Sequence, residues 1–333
     1  LIVKELQIPR KVIILEALLR RLPKTHPQRL KIEEERARSM AGYKGEQTID
    51  YHLRSLEDQK YYIFHDVRLK ERKDYYFQID ILILSPYFIL ILEVKNISGT
   101  LTFNQNFKQL IRTTSDGVED CFPDPILQVS EQEYQLKHWL EQFNFASIPV
   151  LSLIVITNSS SQIRMEPFDK KVLNKVVRNK MLRTKINEFE KIYRDEKFSG
   201  KEMRKIKKLI LKHHTEYDYP ALEKFNISPS ELITGIHCPH CSTLPMVREM
   251  RSWSCSHCHH QSKVAFLPSI MDYVLLVKQE FTNRDIRYFL NIASEQTSLR
   301  LLTSNGHIKP IGDTKNRKYH MKISPTLDTF LRK

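Results

Sequence analysis

Two neighbouring runs of aliphatic and β-branched residues, Tyr76 to Leu84 and Ile89 to Lys95, are separated by a short segment containing Ser85-Pro86. Runs of this length and composition form strands, and the Ser-Pro pair allows a hairpin return between them. The pair also carries charge where the pattern calls for apolar residues: Asp80 in the first run, Glu93 in the second. Charged groups are rarely buried unless they are paired or bind a metal. Successive strand residues face opposite sides, so Glu93 and Lys95 share one face, and the hairpin return sets Asp80 beside Glu93. Two carboxylates and an amine converging on a sheet surface suit a Mg²⁺ or Mn²⁺ site for phosphodiester hydrolysis. The same three residues also fit a half-buried hairpin holding an Asp–Lys or Glu–Lys ion pair.

The rest of the chain bears on that choice. Its 333 residues are enough for two or three domains, and 41% hydrophobic content is enough for packed cores. The formal charge of +14 favours a polyanionic partner, most simply nucleic acid, over an anionic membrane surface. No apolar stretch reaches the roughly 18–20 residues needed to span a bilayer. The first 22 residues carry scattered charges (Lys4, Glu5, Arg10, Lys11, Glu16) and lack the uncharged core of a signal peptide. A cytoplasmic location without membrane contact is the expectation.

Hydrophobic spacing predicts helices over Lys11 to Leu22 and Leu30 to Met40, and a third helix entered from Gly42-Tyr43-Lys44-Gly45-Glu46 through Ile49 and Leu53. Strands are expected at Tyr61 to Leu69, Tyr76 to Leu84, Phe88 to Lys95, Gly99 to Phe107 and Pro149 to Thr157, with a helix over Leu127 to Phe143. Lys170 to His214 is a basic helical region that reads equally as a solvated helix face or a nucleic-acid track.

Cys238-Pro239-His240-Cys241 and Cys255-Ser256-His257-Cys258 are paired C-x2-C knuckles separated by thirteen residues. That pattern matches a zinc ribbon, in which four thiolates hold one tetrahedral Zn²⁺ and leave no open position, so the ion is structural. Cys121 lies far from both knuckles and is expected as a free thiol.

Beyond the knuckles, Thr282 or Asn283 caps a helix bearing Ile286, Phe289 and Leu290. A second helix follows over Glu295 to Ser304, with Leu299, Leu301 and Leu302 apolar, and then a short basic hairpin to Met321. Helix–turn–helix plus hairpin resembles a winged helix, which sets its second helix in the DNA major groove and its hairpin on the backbone. Ser298 and Arg300 are then expected to face DNA, with Lys315, Arg317 and Lys318 on the wing. A small helical cap on the zinc module is the other reading.

With these residues in view, the first 160 positions resemble the nuclease-related domain (NERD) family, itself similar to the PD-(D/E)XK nucleases. The likeness rests on Gly42-Tyr43-Lys44-Gly45-Glu46 opening a helix, Asp80 in a strand, Glu93-Val94-Lys95-Asn96 with Gly99 following, and Pro125-Ile126-Leu127-Gln128 opening the next helix. It departs from the pattern at Ile79, where the superfamily name has Pro, and at Ser85-Pro86-Tyr87, where a Gly is common. The resemblance implies an α/β fold: a PD-(D/E)XK nuclease-like mixed sheet flanked by helices, followed by a small zinc ribbon and a winged-helix-like module. It implies Asp80 and Glu93 as metal ligands, Lys95 as the group that orients water or stabilises charge, Glu46 as an auxiliary acid and Gln128 as a supporting polar residue. The expected domains are an N-terminal helical segment (1–40), the nuclease-like domain (41–160), a basic helical linker (161–232), the zinc ribbon (233–267) and the winged-helix-like DNA-binding segment (268–333). The implied activity is metal-dependent cleavage of DNA. Its rivals are a non-catalytic DNA-binding protein on a nuclease scaffold and an RNA-processing or RNA-binding factor.

Overall fold

The computed structural model describes residues 1–54, 56, 60–145, 148–313 and 317–321. The chain divides into two compact units, Leu1–Ile8 with Ser39–Tyr217 and Pro9–Arg38 with Asp218–Lys333. Strand β1 (Ile2–Lys4) is followed by helices α1 (Arg10–Arg21) and α2 (Arg29–Leu53). The sequence pattern predicted a break in α2 near Gly42. Instead it continues as one helix, and its residues from Ser39 onward belong to the first unit.

The first unit is built on a mixed sheet of order β1-β2-β3-β4-β8-β10. Strands β2 (Tyr62–Arg72), β3 (Tyr75–Leu84) and β4 (Ile89–Lys95) form an antiparallel meander. Next come β5 (Thr100–Asn104), β6 (Gln109–Thr113) and β7 (Glu119–Pro123), then α3 (Pro125–Glu141), β8 (Val150–Ile156) and β9 (Gln162–Glu166). Helix α4 (Lys170–Lys175), β10 (Val176–Arg178), α5 (Leu182–Ile192) and α6 (Gly200–His213) complete it. β8 lies parallel to both β4 and β10, while β7-β6-β5-β9 form a second sheet. The two faces of the main sheet bury different cores. Ile63, Ile81, Ile83, Leu90 and Leu92 pack with Ile49 and Leu53 of α2 and with Leu182 and Ile186 of α5. Phe64, Leu82, Leu84, Ile89 and Ile91 pack with Leu136 and Trp139 of α3 and with Met203, Ile206 and Ile210 of α6. The stretch 161–232, expected as a linker, is therefore built into the folded units; on α6 Lys201, Arg204, Lys205, Lys208 and Lys212 are exposed, while Lys207 is half-buried over the Tyr62 ring.

In the second unit follow α7 (Ala221–Lys224), the short sheet β11 (Val247–Glu249), β12 (Ser252–Ser254) and β13 (Gln261–Ser262), and α8 (Phe266–Leu276). Then come β14 (Glu280–Phe281), α9 (Asn283–Leu290), α10 (Glu295–Thr303), β15 (Ile308–Ile311) and β16 (Lys318–Met321), with sheet order β14-β16-β15. Thr282 caps α9 through a reciprocal exchange with Asp285. Every residue of α8 is buried, which marks it as the centre of the unit. One core joins Leu15 and Leu18 of α1, the knuckle residues Cys238 and Cys255, Trp253 of β12, and Phe281, Phe289 and Leu302. The N-terminal helix, the cysteine module and the C-terminal segment, expected as separate domains, share this core.

At its middle Asp272 is fully buried and accepts from Arg21 Nε at 2.8 Å and from Arg20 Nη2 at 2.8 Å, with His237 Nδ1 at 3.0 Å. Arg21 also donates to the carbonyls of Gly235 (2.7 Å) and Ile233 (3.1 Å), so one ion network ties α1, the loop before Cys238 and α8 together. Burial alone would raise the Asp272 pKa; the neighbouring positive groups override it and hold the carboxyl well below its usual range. Asp272→Ala leaves the buried Arg21 charge without its partner, and we expect a loss of about 3–5 kcal/mol in denaturant unfolding followed by Trp253 fluorescence. Because the folded-state pKa is depressed, this stability is complete above the unfolded Asp value of about 4 and is lost as the pH falls below it. The gap between wild type and Asp272→Asn should therefore narrow progressively below about pH 4.

Candidate acidic centre and cysteine site

The alternation of β3 slips at Asp80. Ile81 belongs to the core over α2, while Ile79 belongs to the core over α3. The facing strand slips at the same level. Asp66 lies between the pairs His65↔Ile81 and Val67↔Ile79 and takes a left-handed φ of 51°, uncommon for a residue with a side chain. The Lys4 ammonium clamps this turn by donating to the carbonyls of His65 and Asp66, each at 2.9 Å. Beside it the β3–β4 ladder ends at Ile81↔Leu92. Past that pair the Asp80 carboxylate replaces a strand partner: its Oδ2 accepts from Val94 N–H at 2.8 Å. The carboxylate thus sits where the two strands part.

Glu93 is only 3% exposed, and both its oxygens are engaged. Oε1 accepts from Lys95 Nζ at 2.7 Å and Oε2 from Gln132 Nε2 at 2.9 Å. Lys95 also donates to Gln128 Oε1 at 3.1 Å. Gln128 and Gln132 are one helical turn apart on α3 and so share a face. Asp124 sets the start of that helix by accepting from Ile126 N–H at 2.9 Å, with Pro125 in the first turn. Gln132 is buried, also donates to the Gln78 carbonyl at 3.0 Å, and leaves its own Oε1 without a hydrogen-bond partner. Sequence reading missed Gln132. Its one available signal was the four-residue spacing from Gln128.

Glu46 reaches the same region from α2. Its pKa is pushed up to about 9, first by burial and then by the charges of Asp80, Asp66 and Glu93. Burial and the Glu93 charge likewise raise Asp80 to about 8. Burial leads both shifts and the neighbouring carboxylates add to them, so neutralising charge at this place is favourable. The structure thus places Asp80, Glu93, Lys95 and Gln128 at one end of the strands, with Glu46 near enough to feel the Asp80 and Glu93 charges.

Gly45 places Glu46. A Cβ there would stand 2.7 Å from Asn96 Cβ and 3.1 Å from Thr157 Oγ1, so only glycine lets α2 approach the end of β4 this closely. Asn96 Nδ2 fixes the same contact by donating to the Ala41 carbonyl at 2.8 Å. In an open helix Gly→Ala gains about 1 kcal/mol. Here overpacking costs about 1–3 kcal/mol and dominates. Gly45→Ala should lower the unfolding midpoint of the first unit, read from Trp139 fluorescence.

The four cysteines form the other site. Among the described residues they are the one set of three or more Cys, His, Asp or Glu whose ligand atoms all lie within 4.8 Å of one another. Cys238 and Cys258 sulfurs are 3.6 Å apart, and Cys241 and Cys255 sulfurs 3.5 Å. A tetrahedral ion with bonds of about 2.3 Å requires similar separations. Each knuckle closes on a left-handed residue, Ser242 (φ 60°) and His259 (φ 57°), whose N–H groups donate to the Cys238 and Cys255 carbonyls at 2.9 and 3.0 Å.

In the C-terminal segment the expectation for Ser298 fails. Its side chain is 0% exposed, because the inward face of α10 carries Ser298 and Leu302. The outward face instead carries Gln296, Leu299, Arg300 and Thr303. Arg300 and Lys318 are exposed, and Lys318 lies 3.1 Å from Glu280. Arg317 is half-buried, and Lys315 lies outside the described residues. No helix among the described residues is long and apolar enough to cross a membrane.

Residues 41–157 match the family described as nuclease-related domain, and this span contains every member of the acidic centre. No curated protein and no solved structure gives a significant match to the chain.

Proposed function

We propose that the protein, whose residues 41–157 match the nuclease-related domain family, is a metal-dependent nuclease acting on DNA. The observation that carries this reading is the convergence of Asp80, Glu93, Lys95 and Gln128 where β3 and β4 part. An ion pair serving stability alone has no need of the Glu46 and Asp80 carboxyls raised beside it. Asp80 and Glu93 are the residues we assign to Mg²⁺ or Mn²⁺. When bound, such an ion offsets charge on a scissile phosphate and lowers the pKa of a bound water.

The chain's own groups do the rest. Gln132 fixes the Glu93 carboxylate, so its orientation is set before substrate arrives. Gln128 and Glu93 hold the Lys95 ammonium from two sides, which aims a positive charge at the negative charge developing on phosphate. Glu46 serves as an auxiliary acid, positioned by the close approach at Gly45.

For the second unit we propose that the cysteines hold a structural Zn²⁺ and that β14 through β16 act as a winged-helix-like DNA contact. The succession of a strand, two helices and a two-stranded hairpin supports this. The outward face of α10 around Arg300 and the wing residues Arg317 and Lys318 would meet phosphate. Lys315, on the same wing by sequence, is assigned the same role.

The reading is tested by cleavage of matched DNA and RNA substrates at one salt concentration, with Mg²⁺, with Mn²⁺ and with EDTA. Metal-dependent cleavage of DNA supports it. Cleavage confined to RNA, or binding of DNA without cleavage under either metal, overturns it.

A further inference from the structure

Past Asp66 and Asp80 the β2–β3 hairpin continues as a two-stranded arm, and its two faces differ. Val67, Leu69, Phe77 and Ile79 bury one face against α3. The other face carries the cross-strand pairs Arg68↔Gln78 and Lys70↔Tyr76. The Arg68 guanidinium lies 3.9 Å from the centre of the Tyr76 ring and 5.3 Å from that of Tyr217. Lys70 Nζ lies 5.9 Å from the same Tyr76 ring. At the tip Tyr75 is 73% exposed, and Tyr76 is 38% exposed. From Arg68 to Tyr76 the arm holds four cations, Arg68, Lys70, Arg72 and Lys73, against Glu71 and Asp74. Glu71 is turned to the α3 side, where its carboxylate accepts from Gln135 at 3.2 Å.

We propose that this outer face is a platform on which an unpaired DNA strand stacks as it leads into the acidic centre. The inference rests on the nuclease reading above and names its substrate as single-stranded or frayed DNA rather than intact duplex. Three observations support it. Tyr76 lies four residues along β3 from Asp80, roughly 13 Å at about 3.3 Å per residue, so platform and centre can engage one strand. Tyrosine rings left in water beside several cations match the requirement of a single strand, whose bases need a π face and whose phosphates need positive charge. Arg68 held against Tyr76 keeps that ring in one orientation, which lowers the ordering cost of stacking. In an intact duplex the base faces are already occupied by one another, so the platform has nothing to stack on.

The test is binding without added Mg²⁺ or Mn²⁺, by fluorescence anisotropy, of a labelled single-stranded DNA and a blunt duplex of equal length at matched salt. Without these ions the result does not depend on cleavage, so an inactive acidic centre leaves it standing. Tyr76→Ala is expected to weaken single-strand binding by about 5- to 150-fold. Duplex binding should change by less than about twofold, and Tyr76→Trp should retain single-strand affinity because stacking is kept. Equal losses on both substrates, or no loss on the single strand, overturn the proposal. A stronger Tyr76-dependent affinity for single-stranded RNA of the same sequence overturns the assignment to DNA.

Discussion

Glu93→Ala is expected to lower metal-dependent cleavage by on the order of a thousandfold or more while the protein stays folded and still binds DNA. The size of the effect follows from how many parts converge on one side chain. Glu93 is an assigned ligand, it anchors Lys95 at 2.7 Å, and it receives Gln132 at 2.9 Å. Its removal therefore takes away a metal oxygen and loosens the cation that faces the phosphate. Glu93→Gln separates the two roles. It fills the same volume and keeps a carbonyl oxygen for Lys95, but it lacks the negative charge that favours a divalent ion. Both variants should fail in Mg²⁺, with Glu93→Gln closer to wild type in thermal stability. Affinity for DNA without added Mg²⁺ or Mn²⁺ should change little, because the contacts assigned to binding lie elsewhere.

Cys238→Ser is expected to remove bound zinc and unfold the second unit. Cys238 and Cys255 are buried in the same core as α1, α8 and Phe289, so the site is not a detachable appendage. Structural zinc sites contribute on the order of 10 kcal/mol to folding in small metal-dependent modules, more than the whole stability of many domains. Zinc content measured by atomic emission should fall from about one equivalent to none. Trp253, buried in the same core, should report a loss of cooperative unfolding, whereas Trp139, in a core of the first unit, should unfold as in wild type. A Cys238→Ser protein with full zinc content and an unchanged Trp253 transition would show that the cysteines do not hold the ion.

The placement of Asp80 beside the Glu93–Lys95 pair was legible in the sequence, because charge inside β-branched strands needs partners and the hairpin return supplies them. The cysteines were legible because their spacing alone matches a ligand set. Gln132 was not, since a neutral amide on an amphipathic helix breaks no rule; only the fold reveals that Glu93 lies within its reach. Ser298 was misplaced because α10 is short and carries three leucines, so its hydrophobic phase is ambiguous. Leu299 and Arg300 face outward, and Ser298 and Leu302 face inward. The segment Gly42 to Glu46 was expected to open a separate helix, whereas it lies within α2 and Gly45 serves a close approach to Asn96. The shared core of the second unit was hidden for another reason. It joins residues near Leu15 to residues near Leu302, and no local pattern records a contact of that range.

The most direct test of the acidic centre is a cleavage time course on labelled DNA carrying both single-stranded and duplex segments, with wild type and Glu93→Ala run in parallel in Mg²⁺ and in EDTA. Cleavage by wild type in Mg²⁺, absent in EDTA and absent in Glu93→Ala, is the predicted result. Equal cleavage by Glu93→Ala, or cleavage that persists in EDTA, would contradict a metal-dependent centre at Asp80, Glu93 and Lys95.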